Sequence, residues 1–210
     1  MSAFTCIFED KKFSNFFPLS LSQPVFDLRI GFSSFKTRLR DEAPGEKVGV
    51  LCREYLSPLV TLREPELTVN QIPADEAVFV NGRLLCFGTE LADLLAKLPG
   101  DGIAVKGGYV VAAKLRSEAA QDFAAYIKSR ISDETIDQLC EELGSYVTNT
   151  AGAAQDKKKR TPVVQQDARE GTYEDDHAVG QDSLAEKLPQ QLLKLIDRHN
   201  LKRVDLSEAR

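Results

Sequence analysis

Two short segments near the N-terminus carry cations that could hold phosphate groups. Lys11 and Lys12 lie in a polar stretch that follows a short apolar run. A lysine ammonium contacts phosphate as a point charge, but loop lysines are also commonly solvated, and this is what we expect of Lys12. Arg29 lies in a mostly apolar segment, two residues after Asp27. Arg29 could clamp a phosphate or ribose, or pair with Asp27 to shape a turn, and the sequence leaves both open.

A third polar group, Asn81-Gly82-Arg83, follows the apolar run AVFV at 77–80. Consecutive apolar residues of this kind are typical of a strand that is covered on both faces of its sheet. Ligands of open α/β sheets bind beyond the carboxyl ends of the strands. An arginine at that place can hold a phosphate through two hydrogen bonds. The placement favours a ligand site over a plain turn.

The composition narrows the class of protein. The 210 residues include 27 Lys and Arg against 32 Asp and Glu, a net charge of -5, which argues against a nucleic-acid partner. The four cysteines are widely spaced and form no C-x-x-C pair, as expected of a reducing compartment. No apolar run is long enough for a bilayer and no signal peptide is evident, so we expect a cytoplasmic protein with no membrane partner. The acidic residues at 174–182 have polar surroundings and predict a solvated patch, not a metal site.

Strand and helix patterns alternate along the first two thirds of the chain. Short β-prone runs predict strands at 3–8, 47–52, 77–80, 102–106 and 109–113, the last two joined by Gly107-Gly108 as a hairpin. Helical spacing predicts helices over 34–42, 88–98, 117–131 and 133–143, with Ser33 as the cap of the first. A short extended piece is expected at 25–30. A short helix or turn at 53–60 is expected to break at Pro58. The alternation predicts an α/β fold, with an open, mostly parallel sheet flanked by helices and a small antiparallel hairpin.

Three regions follow from this pattern. Residues 1–147 form the predicted α/β domain. Residues 148–182 are polar and nearly free of large apolar side chains, so we expect a linker or mobile loop. Residues 183–210 contain an amphipathic helix over 188–201, which would pack on the domain or on a partner.

The run FEDKKFSNFFPLSLSQPVFDLRIG, residues 8–31, resembles the start of sugar nucleotidyltransferases. That family opens with a strand, a Gly-rich loop ending in Gly-Thr-Arg, then Pro-Leu-Thr, three residues and Pro-Lys. Pro18-Leu19-Ser20 and Pro24 reproduce this spacing without a gap. The loop residues differ: the family's glycines fall on Lys11 and Phe13, its arginine on Asn15 and its lysine on Val25.

The run is similar to a divergent bacterial subgroup related to N-acetylglucosamine-1-phosphate uridyltransferase, which reads L-P-L-T-x-T-R-P-V-x-D-x-R-x-G. Seven positions match, namely Pro18, Leu19, Pro24, Val25, Asp27, Arg29 and Gly31. Residues 78–98 and 102–115 also resemble the subgroup, so the resemblance covers about 8–115. The left-handed β-helix that follows in the subgroup has no counterpart in this sequence.

The resemblance implies a nucleotide-diphospho-sugar transferase-like fold that binds a nucleoside triphosphate and a sugar 1-phosphate. The implied reaction makes an NDP-sugar and releases pyrophosphate, with Mg²⁺ as cofactor. We predict two catalytic residues: Arg29, which matches the subgroup, and Lys11, whose ammonium could contact phosphate. The predicted substrate-binding residues are Ser20, Gln23 and Asp27 in the resembling run, and Asn81, Gly82 and Arg83 after the apolar run at 77–80. Asn81 stands near the place of the family's metal-binding aspartate, and because an amide is a poor Mg²⁺ ligand, no metal ligand is assigned.

Two other functions remain open because the family's loop arginine and lysine are both missing. The first is a catalytically inactive module that binds a nucleotide or sugar phosphate and acts in regulation. The second is an assembly domain, whose C-terminal helix docks a partner or a second copy in a homo-oligomer.

Overall fold

A computed structural model describes residues 4–42, 47–73, 75–85, 90–131 and 188–206. The predicted helix at 133–143 and the predicted linker at 148–182 lie outside these ranges. The strands are β1 Phe4–Phe8, β2 Arg29–Ile30, β3 Ser33–Ser34, β4 Val48–Leu51, β5 Thr68–Val69, β6 Glu76–Asn81, β7 Gly102–Lys106, β8 Tyr109–Arg116 and β9 Lys202–Asp205. The helices are α1 Phe35–Glu42, α2 Ser57–Arg63, α3 Glu90–Lys97, α4 Ser117–Arg130 and α5 Gln190–Arg198.

Seven of these strands form one sheet, in the order β5-β4-β1-β6-β8-β7-β9. β4, β1 and β6 are parallel neighbours, β5 is parallel to β4, and β9 is parallel to β7. β8 runs antiparallel to both β6 and β7. β2 and β3 form a separate two-stranded antiparallel sheet. The predicted α/β fold with a mostly parallel sheet is confirmed.

The sheet buries apolar side chains on both faces, as the unbroken apolar runs of its strands predict. On one face, Ile7 and Val80 pack in a buried cluster with residues of α1, α2 and α3. On the other face, the ring of Phe123 from α4 packs edge-on against Phe8 and Phe79, at centroid distances of 5.8 and 4.9 Å. This two-sided core leaves the strand ends as the place where polar side chains gather.

The β7–β8 hairpin turns at Gly107-Gly108, as predicted. Both glycines have positive φ, at 55° and 77°. A two-residue hairpin turn of type I′ requires positive φ at both central residues, which only glycine and a few polar residues adopt easily. The turn places Tyr109 at the start of β8, beside the carboxyl end of β6.

Three local predictions need correction. The cap of α1 is Ser34, not Ser33, because the Thr37 amide donates to Ser34 Oγ at 3.2 Å. Pro58 does not break a helix; it stands in the first turn of α2, where a missing N–H costs nothing. The segment from Val25 is not extended throughout, since Val25–Asp27 forms a 3₁₀ turn.

The C-terminal part of the chain adds a helix and a strand to the same domain. α5 packs against α4, and β9 pairs with β7 at the edge of the sheet. Leu192 and Leu195 of α5 are buried. No helix in the described part of the chain is long and apolar enough to cross a membrane.

Candidate functional site

The order of the strands places a crevice between β1 and β6. After β1 the chain crosses to β4 on one side, and after β6 it crosses through α3 to β7 on the other side. The two connections therefore leave neighbouring parallel strands in opposite directions. In open α/β sheets this switch point, at the carboxyl ends of the strands, is where ligands bind.

Asp10 is the centre of a polar cluster in this crevice. Its carboxylate accepts two hydrogen bonds from Arg83, Nε at 2.7 Å and Nη2 at 2.5 Å. It also accepts from Asn81 Nδ2 at 2.9 Å and, at 3.0 Å, from the backbone amide of Lys12. Asn81 Oδ1 in turn accepts the Arg83 amide at 2.9 Å. Three polar residues from two strand ends are thus held in fixed positions.

The ring of Tyr109 lies beside this cluster and makes cation–π contacts with two side chains. Lys12 Nζ is 5.5 Å and the Arg83 guanidinium 5.3 Å from the ring centroid. Cations favour the negative face of an aromatic ring. Tyr109 also lines two cavities, which meet at this residue.

We call the first cavity the Arg83 cavity. It measures about 200 Å³, and Asn81, Arg83 and Lys106 supply its polar wall. The second, the α4 cavity, measures about 210 Å³ and lies between Asp10, Lys11 and the last turns of α4. Cations line both, so the strand-end region suits a ligand with more than one anionic group.

A buried ion pair holds the loop after β1 against the end of β4. Glu9 and Arg53 meet at 3.0 Å with side chains only 0% and 1% exposed. Arg53 Nη2 also donates to the carbonyl oxygens of Ser20 at 2.5 Å and Gln23 at 3.3 Å. Glu9 Oε1 accepts the Val25 amide at 2.9 Å. The segment between Pro18 and Pro24 is thereby fixed at the carboxyl rim of the sheet.

The structure brings four of the predicted site residues to the crevice. Asn81 and Arg83 belong to the Asp10 cluster, and Lys11 is exposed at the wall of the α4 cavity. Gly82 donates its amide to the Phe8 carbonyl oxygen at 2.8 Å. A Cβ on Gly82 would lie 2.9 Å from Phe26 Cβ, so this close approach requires glycine.

The other four predicted residues have different surroundings. Ser20 is fully buried and its hydroxyl donates to the Phe13 carbonyl oxygen at 2.7 Å. Gln23 contributes its backbone oxygen to Arg53. Arg29 is exposed on β2 and lines neither cavity. None of these three contacts the Asp10 cluster.

Asp27 pairs with Lys36, at 2.7 Å, and not with Arg29 as one alternative had it. Lys36 also pairs with Glu64, and this ion cluster joins the 3₁₀ turn at Val25–Asp27 to α1 and α2. Burial raises the pKa of Asp27, and the hydrogen bond from Lys36 partly offsets that rise. The position gives Asp27 a structural contact instead of a place in the crevice.

A family model for sugar nucleotidyl transferases matches residues 5–166, well over half of the chain. The chain belongs to this family. Searches of curated proteins and of solved structures each find no match. Membership agrees with the resemblance found in residues 8–31 and with the mostly parallel sheet of the domain.

The donor set in the crevice does not fit a resident Mg²⁺. Both oxygens of Asp10 already accept hydrogen bonds from Arg83, and one of them also accepts the Asn81 amide. Hard divalent cations need oxygen ligands, and the Glu9 carboxylate is committed to Arg53. No group of three candidate metal ligands occurs among the described residues.

Sequence reasoning missed Asp10, Glu9, Arg53 and Tyr109. Glu9 and Asp10 follow β1 directly, and Arg53 follows β4 after one residue. The rule that singled out Asn81 and Arg83, that ligand residues follow parallel strands, therefore also covered these three. For Tyr109 the Gly-Gly turn predicted only a place at the tip of the hairpin. The antiparallel pairing of β8 with β6, which brings that tip beside the strand ends, has no local signal in the sequence.

Proposed function

We propose that this family member binds a nucleoside triphosphate in the crevice and transfers its nucleotidyl group to a sugar 1-phosphate. The Asp10–Asn81–Arg83 cluster at the switch point carries the proposal. A phosphate oxygen of the sugar 1-phosphate attacks the α-phosphorus and forms a new P–O bond. The bond between the α-phosphorus and its bridging oxygen to the β-phosphate breaks, and pyrophosphate leaves with that oxygen.

Positively charged groups contribute most to the catalysis of such a transfer. They stabilise the negative charge of the transition state, and little proton transfer is needed. In this proposal Arg83 and Lys106, which both line the Arg83 cavity, neutralise the triphosphate. In our proposal the Arg83 guanidinium releases Asp10 and binds a phosphate of the nucleotide. An arginine can bind a phosphate, like a carboxylate, with two parallel hydrogen bonds. Asp10 accepts from the Arg83 guanidinium and Asn81 accepts from the Arg83 backbone amide, so both hold Arg83 in position before the nucleotide binds.

We propose that Mg²⁺ enters bound to the triphosphate, since the described residues offer no fitting resident site. Mg²⁺ is commonly bound largely through substrate phosphates and water.

We also propose a cytoplasmic location, which the cysteine pattern supports.

A second function, binding without transfer, is favoured by the saturated hydrogen bonding of Asp10. A carboxylate held by Arg83 and Asn81 can order a nucleotide site without taking part in chemistry. Such a module would respond to nucleotides and release no pyrophosphate.

The first experiment compares two arginines whose guanidinium groups each donate two hydrogen bonds to an aspartate. Arg83 pairs with Asp10 in the crevice, and Arg116 pairs with Asp101 at the opposite end of the sheet. Pyrophosphate release is measured with Mg²⁺, each common nucleoside triphosphate and a panel of hexose 1-phosphates. We expect Arg83→Gln to lower kcat/KM by about 10²–10³-fold, as loss of a charge-stabilising donor does.

Arg116→Gln should retain parental activity, because Arg116 is far from the crevice along β8. Equal activity of Arg83→Gln and the parent would overturn the assignment of the site. A parent that gains thermal stability with a triphosphate yet releases no pyrophosphate would support the binding module instead.

A further inference from the structure

The α4 cavity is built from three parts of the chain that are distant in sequence. Asp10 and Lys11 follow β1, Tyr126 and Arg130 belong to the end of α4, and the start of α5 closes the cavity with Pro189 and Leu192. The cavity adjoins the Asp10 cluster, because Asp10 and Tyr109 are part of its wall. It therefore opens next to the proposed nucleotide site.

The polar groups of the α4 cavity leave an excess of positive charge. The cavity's charged lining residues are two cations, Lys11 and Arg130, and one carboxylate, Asp10. The balance therefore stays positive even when Arg83 leaves Asp10 for a phosphate. Neither Lys11 nor Arg130 forms an ion pair with another residue in the described ranges, and both line the cavity. Two such cations at one cavity favour an anionic ligand.

The remaining wall suits a small ring. Tyr126 supplies an aromatic face, and its hydroxyl makes no hydrogen bond within the described part of the chain. Burial raises the pKa of Tyr126, so the hydroxyl keeps its proton as a donor. At about 210 Å³ the cavity is smaller than the roughly 300–1,000 Å³ of pockets for drug-sized ligands. The α4 cavity therefore suits a small ligand, such as one sugar ring with a phosphate.

We propose that the α4 cavity is the site of the sugar 1-phosphate, with the phosphate between Lys11 and Arg130 and the ring against Tyr126 and Leu192. This inference rests on the proposed function and adds the acceptor site to it. It makes the C-terminal segment a wall of that site, although more than 50 residues separate Pro189 from Arg130.

The arrangement of the two cavities supports the assignment. Tyr109 and Val110 line both, so ligands in the α4 cavity and the Arg83 cavity lie side by side. A phosphate at Lys11 would then be near a triphosphate at Arg83. Holding two reactants in neighbouring sites removes much of the entropic barrier to their reaction.

The test measures binding by isothermal titration calorimetry with glucose 1-phosphate, N-acetylglucosamine 1-phosphate, mannose 1-phosphate and, separately, UTP and ATP. The variants are Arg130→Gln and Lys11→Gln. We expect each to weaken binding of the preferred sugar 1-phosphate at least tenfold and to change nucleotide affinity less than twofold. Tyr126→Phe, which removes only the hydroxyl, should weaken the sugar phosphate and spare the nucleotide.

Lys128→Gln is the matched control. Lys128 lies in the same last turn of α4 as Arg130, so Lys128→Gln removes a positive charge from the same end of the helix dipole. Lys128 does not line the α4 cavity. It should bind both ligands like the parent. Lys11 is exposed in a loop, so Lys11→Gln keeps the test valid if Arg130→Gln fails to fold.

Parental sugar-phosphate affinity in both Arg130→Gln and Lys11→Gln would overturn the inference, and so would a parent that binds none of the three sugar phosphates. Pyrophosphate release that survives both substitutions unchanged would overturn it while leaving the proposed function intact. If sugar 1-phosphate binding depends on Arg130 but no pyrophosphate is released, the α4 cavity remains the sugar 1-phosphate site and the proposed transfer reaction is contradicted.

Discussion

Arg53 is the residue on which the loop after β1 depends most. Its guanidinium is buried against Glu9 and donates to the Ser20 carbonyl oxygen. Removing one partner of a buried ion pair leaves an uncompensated charge and costs about 3–5 kcal/mol. We therefore expect Arg53→Met to lower the free energy of unfolding by about this amount, measured by urea denaturation.

Two further variants test whether this loss of stability comes from the burial of the ion pair or from its charge alone. Arg203→Met breaks the exposed pair of Arg203 with Asp205 and should cost less than about 1 kcal/mol. Adding Glu9→Gln to Arg53→Met should restore part of the loss, because no charge then stays buried. A loss for Arg53→Met no larger than that for Arg203→Met would contradict the structural role of the buried pair.

The sequence predicted which strand end carries the site, but not how its charges pair. Asn81 and Arg83 were predicted because they follow a buried strand, and the same rule applies to Asp10, which the sequence reasoning missed. The pairing of Asp10 with Arg83 joins residues 73 positions apart and depends on β1 and β6 being neighbours. For Asp27, the nearby Arg29 looked a suitable partner, yet Arg29 lies exposed on β2 and Lys36 takes its place.

At the scale of one element, the start of α1 also depends on a contact that the sequence pattern alone does not predict. Ser33 and Ser34 fit the cap pattern equally well in sequence, and the short β2–β3 pairing decides which one precedes the helix. Loss of an N-cap hydroxyl costs about 0.5–2 kcal/mol. We expect Ser34→Ala to lower the free energy of unfolding by this amount, because the Thr37 amide loses its acceptor.

Ser33→Ala is the control for this prediction. Ser33 lies in the same two-residue strand and its side chain makes no cap bond to α1 within the described residues. Its replacement should change the free energy of unfolding by less than about 0.5 kcal/mol, as surface substitutions usually do. If Ser33→Ala were the more damaging change in urea denaturation, the sequence-based cap would be right after all.

At the scale of the whole molecule, the C-terminal segment belongs to the fold of the domain. Leu195 is 8% exposed where α5 packs on α4, and β9 extends the sheet beside β7. The amphipathic pattern at 188–201 predicted the helix. β9 went unnoticed because its sequence, KRVD, has a single apolar residue, as an exposed edge strand allows. The pairing of β9 with β7 is set by the fold and has no local signal.

Leu195→Ala tests this attachment. A buried leucine replaced by alanine costs about 2–5 kcal/mol, because apolar contacts are lost and a cavity remains. We expect a loss in this range for the whole domain, in a single cooperative unfolding transition. Leu193→Ala, on the same helix but 39% exposed, should cost less than about 1 kcal/mol. Equal, small losses for both leucines would mean that α5 unfolds separately from the sheet, and the α4 cavity would then lack the wall that Pro189 and Leu192 provide.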